Sequence, residues 1–276
     1  MESHPNSTGF DASSSYAIDG RSRCEPAMVS VRPPTWWIII AIFGVVLTGL
    51  SSVALSMLDV GGETSRFVLS SWGVLLVCLG IVLWSAVRVD EPLGRQPSTA
   101  SIVTFVRLLA LALLGGWILT GAMNHLTWVP VGLFAIAAGL DALDGAVARL
   151  DGNVTARGKH LDMHTDALTI LLGSVVVIGI GRAPIAFIVV GVAQYAFLGG
   201  TVGRRLLGRE VAKLPASPIR RLLGATLMGA IWVAMWPPLD PSFGYVLTIG
   251  VGALVLINYT RDWLAISGYQ IGYEIG

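Results

Sequence analysis

The chain has 276 residues, of which 54% are hydrophobic and only 13% charged, whereas roughly a quarter of the residues in a soluble domain are charged. That composition excludes an ordinary soluble globular protein, and a net charge of +1 with no basic stripe interleaved with aromatics gives no sign of a nucleic-acid partner. The two cysteines, Cys24 and Cys78, fall in a polar tail and in an apolar stretch, so they build neither a disulfide framework nor a thiolate metal site.

Residues 1–34 are rich in Ser, Asn, Gly and Pro and lack the basic start and apolar core of a signal peptide, so a disordered tail is expected there. Beyond it, windows of about 20 residues mark apolar stretches long enough to cross a bilayer. Eight are expected, near 35–57, 68–87, 102–123, 126–148, 160–181, 183–203, 218–237 and 242–260. Turn residues separate them: Gly61-Gly62, then Gly181-Arg182-Ala183-Pro184 with Pro184 suited to the first turn of the next helix, then Trp236-Pro237-Pro238-Leu239-Asp240-Pro241. The segment Arg88 to Ala100, with Pro92, Gly94 and Pro97, reads as a linker. The expected organisation is therefore a tail (1–34), a two-helix transmembrane extension (35–87), a linker (88–100), a six-helix membrane domain (101–264) and a C-terminal tail (265–276).

Eight spans put both termini on one side. Sixteen of the 18 Lys and Arg residues then fall on that side, and only Arg66 and Arg182 on the other. Positive charge collects on the cytoplasmic side, so the termini are expected there. Gly115-Gly116 and Gly199-Gly200 are expected to permit close helix packing, and Trp36, Trp37, Trp128 and Trp236 to anchor at interfaces.

Chemistry concentrates at one place. From Gly139 to Asp166 the chain reads GLDALDGAVARLDGNVTARGKHLDMHTD. On a helix, Asp141, Asp144, Gly145 and Ala148 share one face, and Asp162 and Asp166 share a face of the next. Asp151-Gly152-Asn153 and Gly158 supply turn chemistry, so the two helices can fold back with all four carboxylates converging. Ionised groups at membrane depth are costly, and four carboxylates together repel, which a pair of divalent cations would relieve. Hard oxygen ligands favour Mg2+, Mn2+ or Ca2+ over zinc, with His160 and His164 optional. Two metals so bound would clamp a phosphoryl group. Gly145 and Ala148 leave room for it, and Arg149 offers a fork-shaped donor to phosphate oxygens. The same carboxylates would also suit a divalent-cation transporter, but that leaves Gly145, Ala148, Arg149 and Gly158 without a purpose.

The spacing D-x2-D-G-x2-A-R-x8-G-x3-D-x3-D, from Asp141 to Asp166, resembles the signature of the CDP-alcohol phosphotransferases at every fixed position. The resemblance spans roughly residues 97–262 and extends to an upstream Asn-x-x-Thr-x-x-Arg pattern, where Ser101 replaces the Asn while Thr104 and Arg107 are retained. It implies an all-α integral membrane protein, a six-helix core preceded here by two extra transmembrane helices. It implies a multi-pass enzyme of phospholipid biosynthesis in the cytoplasmic membrane, a homodimer with its active site facing the cytoplasm. Such an enzyme transfers a phosphatidyl-type group from a CDP-lipid donor to a small polar alcohol and releases CMP. By the same resemblance Asp141, Asp144, Asp162 and Asp166 hold two Mg2+ or Mn2+ ions. Asp162 and Asp166 are catalytic, Asp166 as the general base. Thr104, Asp141, Gly145, Ala148, Arg149 and Gly158 bind the CDP moiety. The alternative pairing takes a soluble CDP-alcohol and a diacylglycerol-like acceptor. Between the last two aspartates, Met163-His164-Thr165 departs from the Asp-Pro-x-Ala-Asp-Lys of the phosphatidylglycerol phosphate branch, and neither the inositol nor the serine branch fits. The acceptor is therefore left open, with Arg204, Arg205, Lys213, Arg220 and Arg221 on the correct side to meet a phosphorylated one.

Overall fold

The computed structural model describes residues 35–57, 64–88, 99–120, 126–151, 156–209, 211–212 and 217–268, and among these it is all helical, with no strand. The expected tail, most of the linker and the end of the C-terminal tail lie outside the described residues. The helices are α1 (Thr35–Met57), α2 (Thr64–Arg88), α3 (Thr99–Leu114), α4 (Trp117–Thr120), α5 (Trp128–Asp151), α6 (Ala156–Gly179), α7 (Ile188–Leu206), α8 (Pro218–Ala234) and α9 (Pro241–Ile266). Among the described residues five stretches are long and apolar enough to cross a membrane: Thr64–Trp84, Val103–Thr120, Leu161–Gly179, Ile185–Leu206 and Pro241–Ile266. They make this a multi-pass integral membrane protein.

Each of the eight apolar windows contains a helix, but three helices fall short of a full apolar span among the described residues. In α1 and α5 the apolar stretches are Ile42–Ser51 and Trp128–Asp141, and α8 has 17 residues.

The window near 102–123 is not one helix. It breaks at Gly115-Gly116, where a turn separates α3 from α4. Packing against α2 explains the break. A Cβ on Gly116 would sit 1.9 Å from the Phe67 ring, and one on Gly115 would sit 2.5 Å from Val74, so only glycine admits α2 this closely. Ser70 Oγ donates to the Gly116 carbonyl at 3.0 Å, and Phe67 meets Trp117 edge to face with centroids 5.2 Å apart. At the second glycine pair only Gly200 makes such an approach, 2.5 Å from the Trp263 ring for a Cβ, while Gly199 faces open space.

The helices run up and down, so their ends form two layers. At one end, Asp141 in α5 meets Asp162 and Asp166 in α6, Arg204 near the end of α7 reaches Ser267 beyond α9, and Arg220 in α8 pairs with Asp262 in α9. At the opposite end, Arg182 in the turn after α6 donates to three carbonyls of the α8–α9 turn: Trp236 at 2.7 Å, Pro237 at 2.9 Å and Leu239 at 2.6 Å. These carbonyls belong to the turn beyond the end of α8, where Trp236 O also accepts from Leu239 N–H at 3.2 Å, so the guanidinium ties the turn after α6 to the turn between α8 and α9. Asp240 follows as the N-cap of α9. Hydrogen bonds from the Ser242 hydroxyl and backbone N–H hold its carboxyl below the usual carboxylate range. Pro184 is the N-cap of the 3-10 turn Ile185–Phe187 that leads into α7. Trp128 is exposed, in keeping with an interface anchor, whereas Trp236 packs edge to face on Trp232.

The core lies between these layers. Leu111 and Leu114 of α3, Phe134 and Ala137 of α5, Val176 and Val177 of α6 and Ile231 and Ala234 of α8 are fully buried in it. Gly173 admits the Phe134 ring to α6. The outward faces of α1, α2, α7 and α9 carry exposed residues such as Phe43, Leu76, Val189 and Val246, the surface that a lipid-embedded bundle presents.

Candidate metal centre and catalytic site

Three helices build the site. Helix α5 brings Asp141 from just past its midpoint, and α6 brings Asp162 and Asp166 from one face of its N-terminal half. One oxygen from each of the three carboxylates lies within 4.8 Å of the others. Helix α3 brings Arg107 from the third side. Arg107 Nη1 donates to Asp141 Oδ1 at 2.7 Å and to Asp162 Oδ1 at 3.4 Å, and Nη2 donates to Asp166 Oδ1 and, at 3.2 Å, to Thr169 Oγ1. Thr169 in turn donates to the Thr165 carbonyl at 2.8 Å, as a threonine inside a helix commonly does.

Burial gives the cluster a direction. The Arg107 side chain is 1% exposed, while those of Asp141, Asp162 and Asp166 are 26%, 52% and 28% exposed. The guanidinium is thus the floor and the carboxylates open away from it. A ligand approaching the cluster meets carboxylate oxygen first.

The donor set fits a hard divalent cation. Ligand oxygens around a single Mg2+ lie about 3 to 4 Å apart, so a small side-chain rotation brings a 4.8 Å group to ligation distance. Among the described residues no histidine or cysteine joins the group, which argues against zinc. Arg107 Nε is buried with no hydrogen-bond partner among the described residues.

The remaining residues singled out from the sequence divide in two. Asp144, Gly145, Ala148 and Arg149 belong to α5 and Gly158 to α6, but their side chains lie outside the described residues, as does that of His160. Asp144 follows Asp141 by three positions on the same helix. Thr104 is half-buried on α3, one turn before Arg107, and His164 is half-buried on α6 between the two aspartates.

Of the basic residues, Arg220 Nε lies 3.6 Å from Asp262 Oδ2, and Asp262 also accepts from Asn258 at 3.3 Å. Asp262 is buried, so this pair is one contact that the charge pattern alone did not show. Lys213 lies outside the described residues.

The sequence profile of the CDP-alcohol phosphatidyltransferases matches residues 98–258, which include Arg107 and all four aspartates. The chain belongs to the CDP-alcohol phosphatidyltransferase family. No curated protein and no solved structure matches it. Family membership makes the chain an enzyme of CDP-alcohol chemistry, and the matched segment runs from the start of α3 into α9. A CDP-alcohol phosphatidyltransferase acts on a diphosphate ester, and a cluster of carboxylates able to take up divalent cations is chemically suited to that anion.

Two side chains central to this geometry, Arg107 and Thr169, were not among the expected site residues. The signal for Arg107 was present: an arginine nine residues into an apolar helix needs a partner, and it stands in the Ser101-x-x-Thr104-x-x-Arg107 pattern. Thr169 continues the face that carries Asp162 and Asp166, at offsets 0, 4 and 7, but threonine is common in apolar helices and nothing in its spacing set it apart.

Proposed function

We propose that the chain transfers a phosphatidyl-type group from a CDP-lipid to a small polar alcohol in phospholipid biosynthesis, with release of CMP. The observation that carries this reading is the convergence of Asp141, Asp162 and Asp166 within 4.8 Å, inside the family-matched segment. In the transfer, the alcohol oxygen forms a bond to the lipid-side phosphorus. The P–O bond of the diphosphate bridge breaks, its electron pair leaving with CMP. The hydroxyl proton passes to Asp166 or to water; the transition state is loose, so little deprotonation is needed before attack.

Asp141, Asp144, Asp162 and Asp166 are the ligands for two divalent cations, Mg2+ or Mn2+. Bound there, the cations would supply polarisation of the phosphoryl oxygens and stabilisation of the leaving phosphate. Thr104, Gly145, Ala148, Arg149 and Gly158 line the CDP pocket in this reading. With four carboxylates at −4, Arg107 at +1 and two divalent cations at +4, the site carries +1, a sum that favours a diphosphate anion. The support for a lipid donor is the placement of the cluster among membrane-spanning helices, within reach of a headgroup.

Eight spans with both termini and the acidic end facing the cytoplasm complete the reading, α1 and α2 forming an extension to a six-helix catalytic domain. The support is the sixteen-to-two distribution of positive charge. The homodimer that the family resemblance implies is read out from the mass of the purified protein.

The test is CMP release by the purified full chain, given CDP-diacylglycerol with glycerol 3-phosphate, inositol, inositol 1-phosphate or serine, each with Mg2+ or Mn2+. Release with one of these acceptors is the expected outcome. CMP release only from CDP-choline or CDP-ethanolamine with diacylglycerol would reverse donor and acceptor. Metal uptake into liposomes without CMP release from any donor would replace the reading with a transporter.

A further inference from the structure

We propose that Arg107 is the positioning residue of the metal centre: one guanidinium from α3 holds the carboxylates of α5 and α6 in the arrangement that a divalent cation then binds. The inference rests on the reading that the aspartate cluster takes up metal.

Three observations lead to it. First, the contacts are shared: Nη1 reaches both Asp141 and Asp162, and Nη2 reaches Asp166 and Thr169, so a single planar fork spans all three helices. Second, in all three pairs the contacting atom is Oδ1. Each carboxylate is therefore fixed through one oxygen, and fixing one oxygen sets the heading of the other. Third, the arginine is buried and the carboxylates are not, so the cation stands behind the acids and leaves their open side to a ligand.

Physical chemistry gives the arrangement its purpose. Three carboxylates within 4.8 Å repel one another and, left alone, would rotate apart; a metal binding them would first have to gather them. A permanent cation behind them performs that gathering in advance. Arginine suits the task where lysine would not, since its guanidinium stays charged and its two Nη groups point in fixed, separate directions. Outer contacts of this kind, which orient ligands without touching the ion, commonly contribute about 10- to 100-fold to metal affinity. Thr169 plays the supporting part, since its hydroxyl accepts from Nη2 while donating to the Thr165 carbonyl.

The test compares the wild-type full chain in nanodiscs with Arg107→Met, Arg107→Lys and Thr169→Val. Mn2+ binding is followed by electron paramagnetic resonance, and the Mg2+ dependence of CMP release is measured in parallel. Wild type is expected to bind Mn2+; if it does not, the metal reading itself fails, before any variant is considered. In Arg107→Met, Mn2+ affinity is expected to fall about 10-fold or more, the Mg2+ concentration for half-maximal rate rising in step. Arg107→Lys, which keeps the charge but not the fork, is expected to fall between the two. Thr169→Val keeps both partners of the ion pairs and is expected to weaken Mn2+ binding about 2- to 3-fold, so it carries the test if Arg107→Met does not fold. A folded Arg107→Met that binds Mn2+ as wild type does would overturn the proposal. So would tighter binding, which would make the guanidinium a competitor of the metal, and so would unchanged affinity in Thr169→Val.

Discussion

Single side chains divide sharply here between those that hold the fold and those that open toward a ligand. Asp162 is the most exposed of the three clustered carboxylates, so little of the packing depends on it. Asp162→Ala should therefore lower CMP release at least about 100-fold while the chain stays folded and inserted, checked by thermal unfolding in detergent alongside turnover. Asp144→Ala is expected to behave in the same way. Near wild-type turnover in either would remove the two-metal reading. Arg182 is the opposite case. It touches no carboxylate of the site but caps three carbonyls at the far end of the bundle. Arg182→Met removes the side-chain donor from all three carbonyls, leaving Trp236 O only its bond from Leu239 N–H, and should cost about 2 kcal/mol or more of stability, with half-saturating Mg2+ unchanged. The sequence showed the four aspartates because their spacing is fixed and their burial in lipid would be costly. It showed Arg182 only as one of two cations left for the far side, since a contact to backbone carbonyls leaves no mark in residue identity.

Helices meet here through small residues, and that sets how far each contact could be foreseen. Gly115-Gly116 was legible as a packing site, yet not as a helix break, because hydropathy averages across a single turn. The break follows from α2: the Phe67 ring occupies the position that a side chain at 116 would need, and the Ser70 hydroxyl binds the Gly116 carbonyl. Gly116→Val should accordingly push α2 away or strain α3, at a cost of about 1 to 3 kcal/mol, read as a lower unfolding temperature. Gly199→Val serves as the control, since a Cβ there meets open space, and it should leave the unfolding temperature nearly unchanged. The acidic hairpin was legible at the same level. Of the residues expected to make the turn, Asp151 ends α5 and Gly158 lies within α6, while Gly152 and Asn153 are outside the described residues; the two helices nonetheless bring Asp141 to Asp162 and Asp166.

At the scale of the whole molecule, helix content and membrane character were readable from composition and window hydropathy. The side on which each end lies rests on charge distribution, and it can be measured. A single cysteine placed at Arg209, with Cys24 and Cys78 replaced, should be modified by an impermeant thiol reagent from the cytoplasmic side only, and one at Leu239 from the other side only. The reverse pattern would put the aspartates on the external face. What composition did not contain is the way a third helix closes the site from behind. Arg107 lies 34 positions from Asp141 and 59 from Asp166 along the chain, a juxtaposition that only the folded bundle makes visible.

The fit of Phe67 and Ser70 against Gly116 has one more consequence. Kinship in sequence begins at residue 98, but the folded body does not: α2 fills the hollow beside α3 and α4. At the other margin, Asp262 and Trp263 lie past residue 258 and still hold Arg220 and Gly200. A chain trimmed to residues 98–258 would keep Asp141, Asp144, Asp162 and Asp166 and lose the walls that Gly116, Gly200 and Arg220 lean on. The stretch that carries the chemistry is therefore shorter than the smallest piece able to stand by itself, and the first two helices are better regarded as masonry than as ornament.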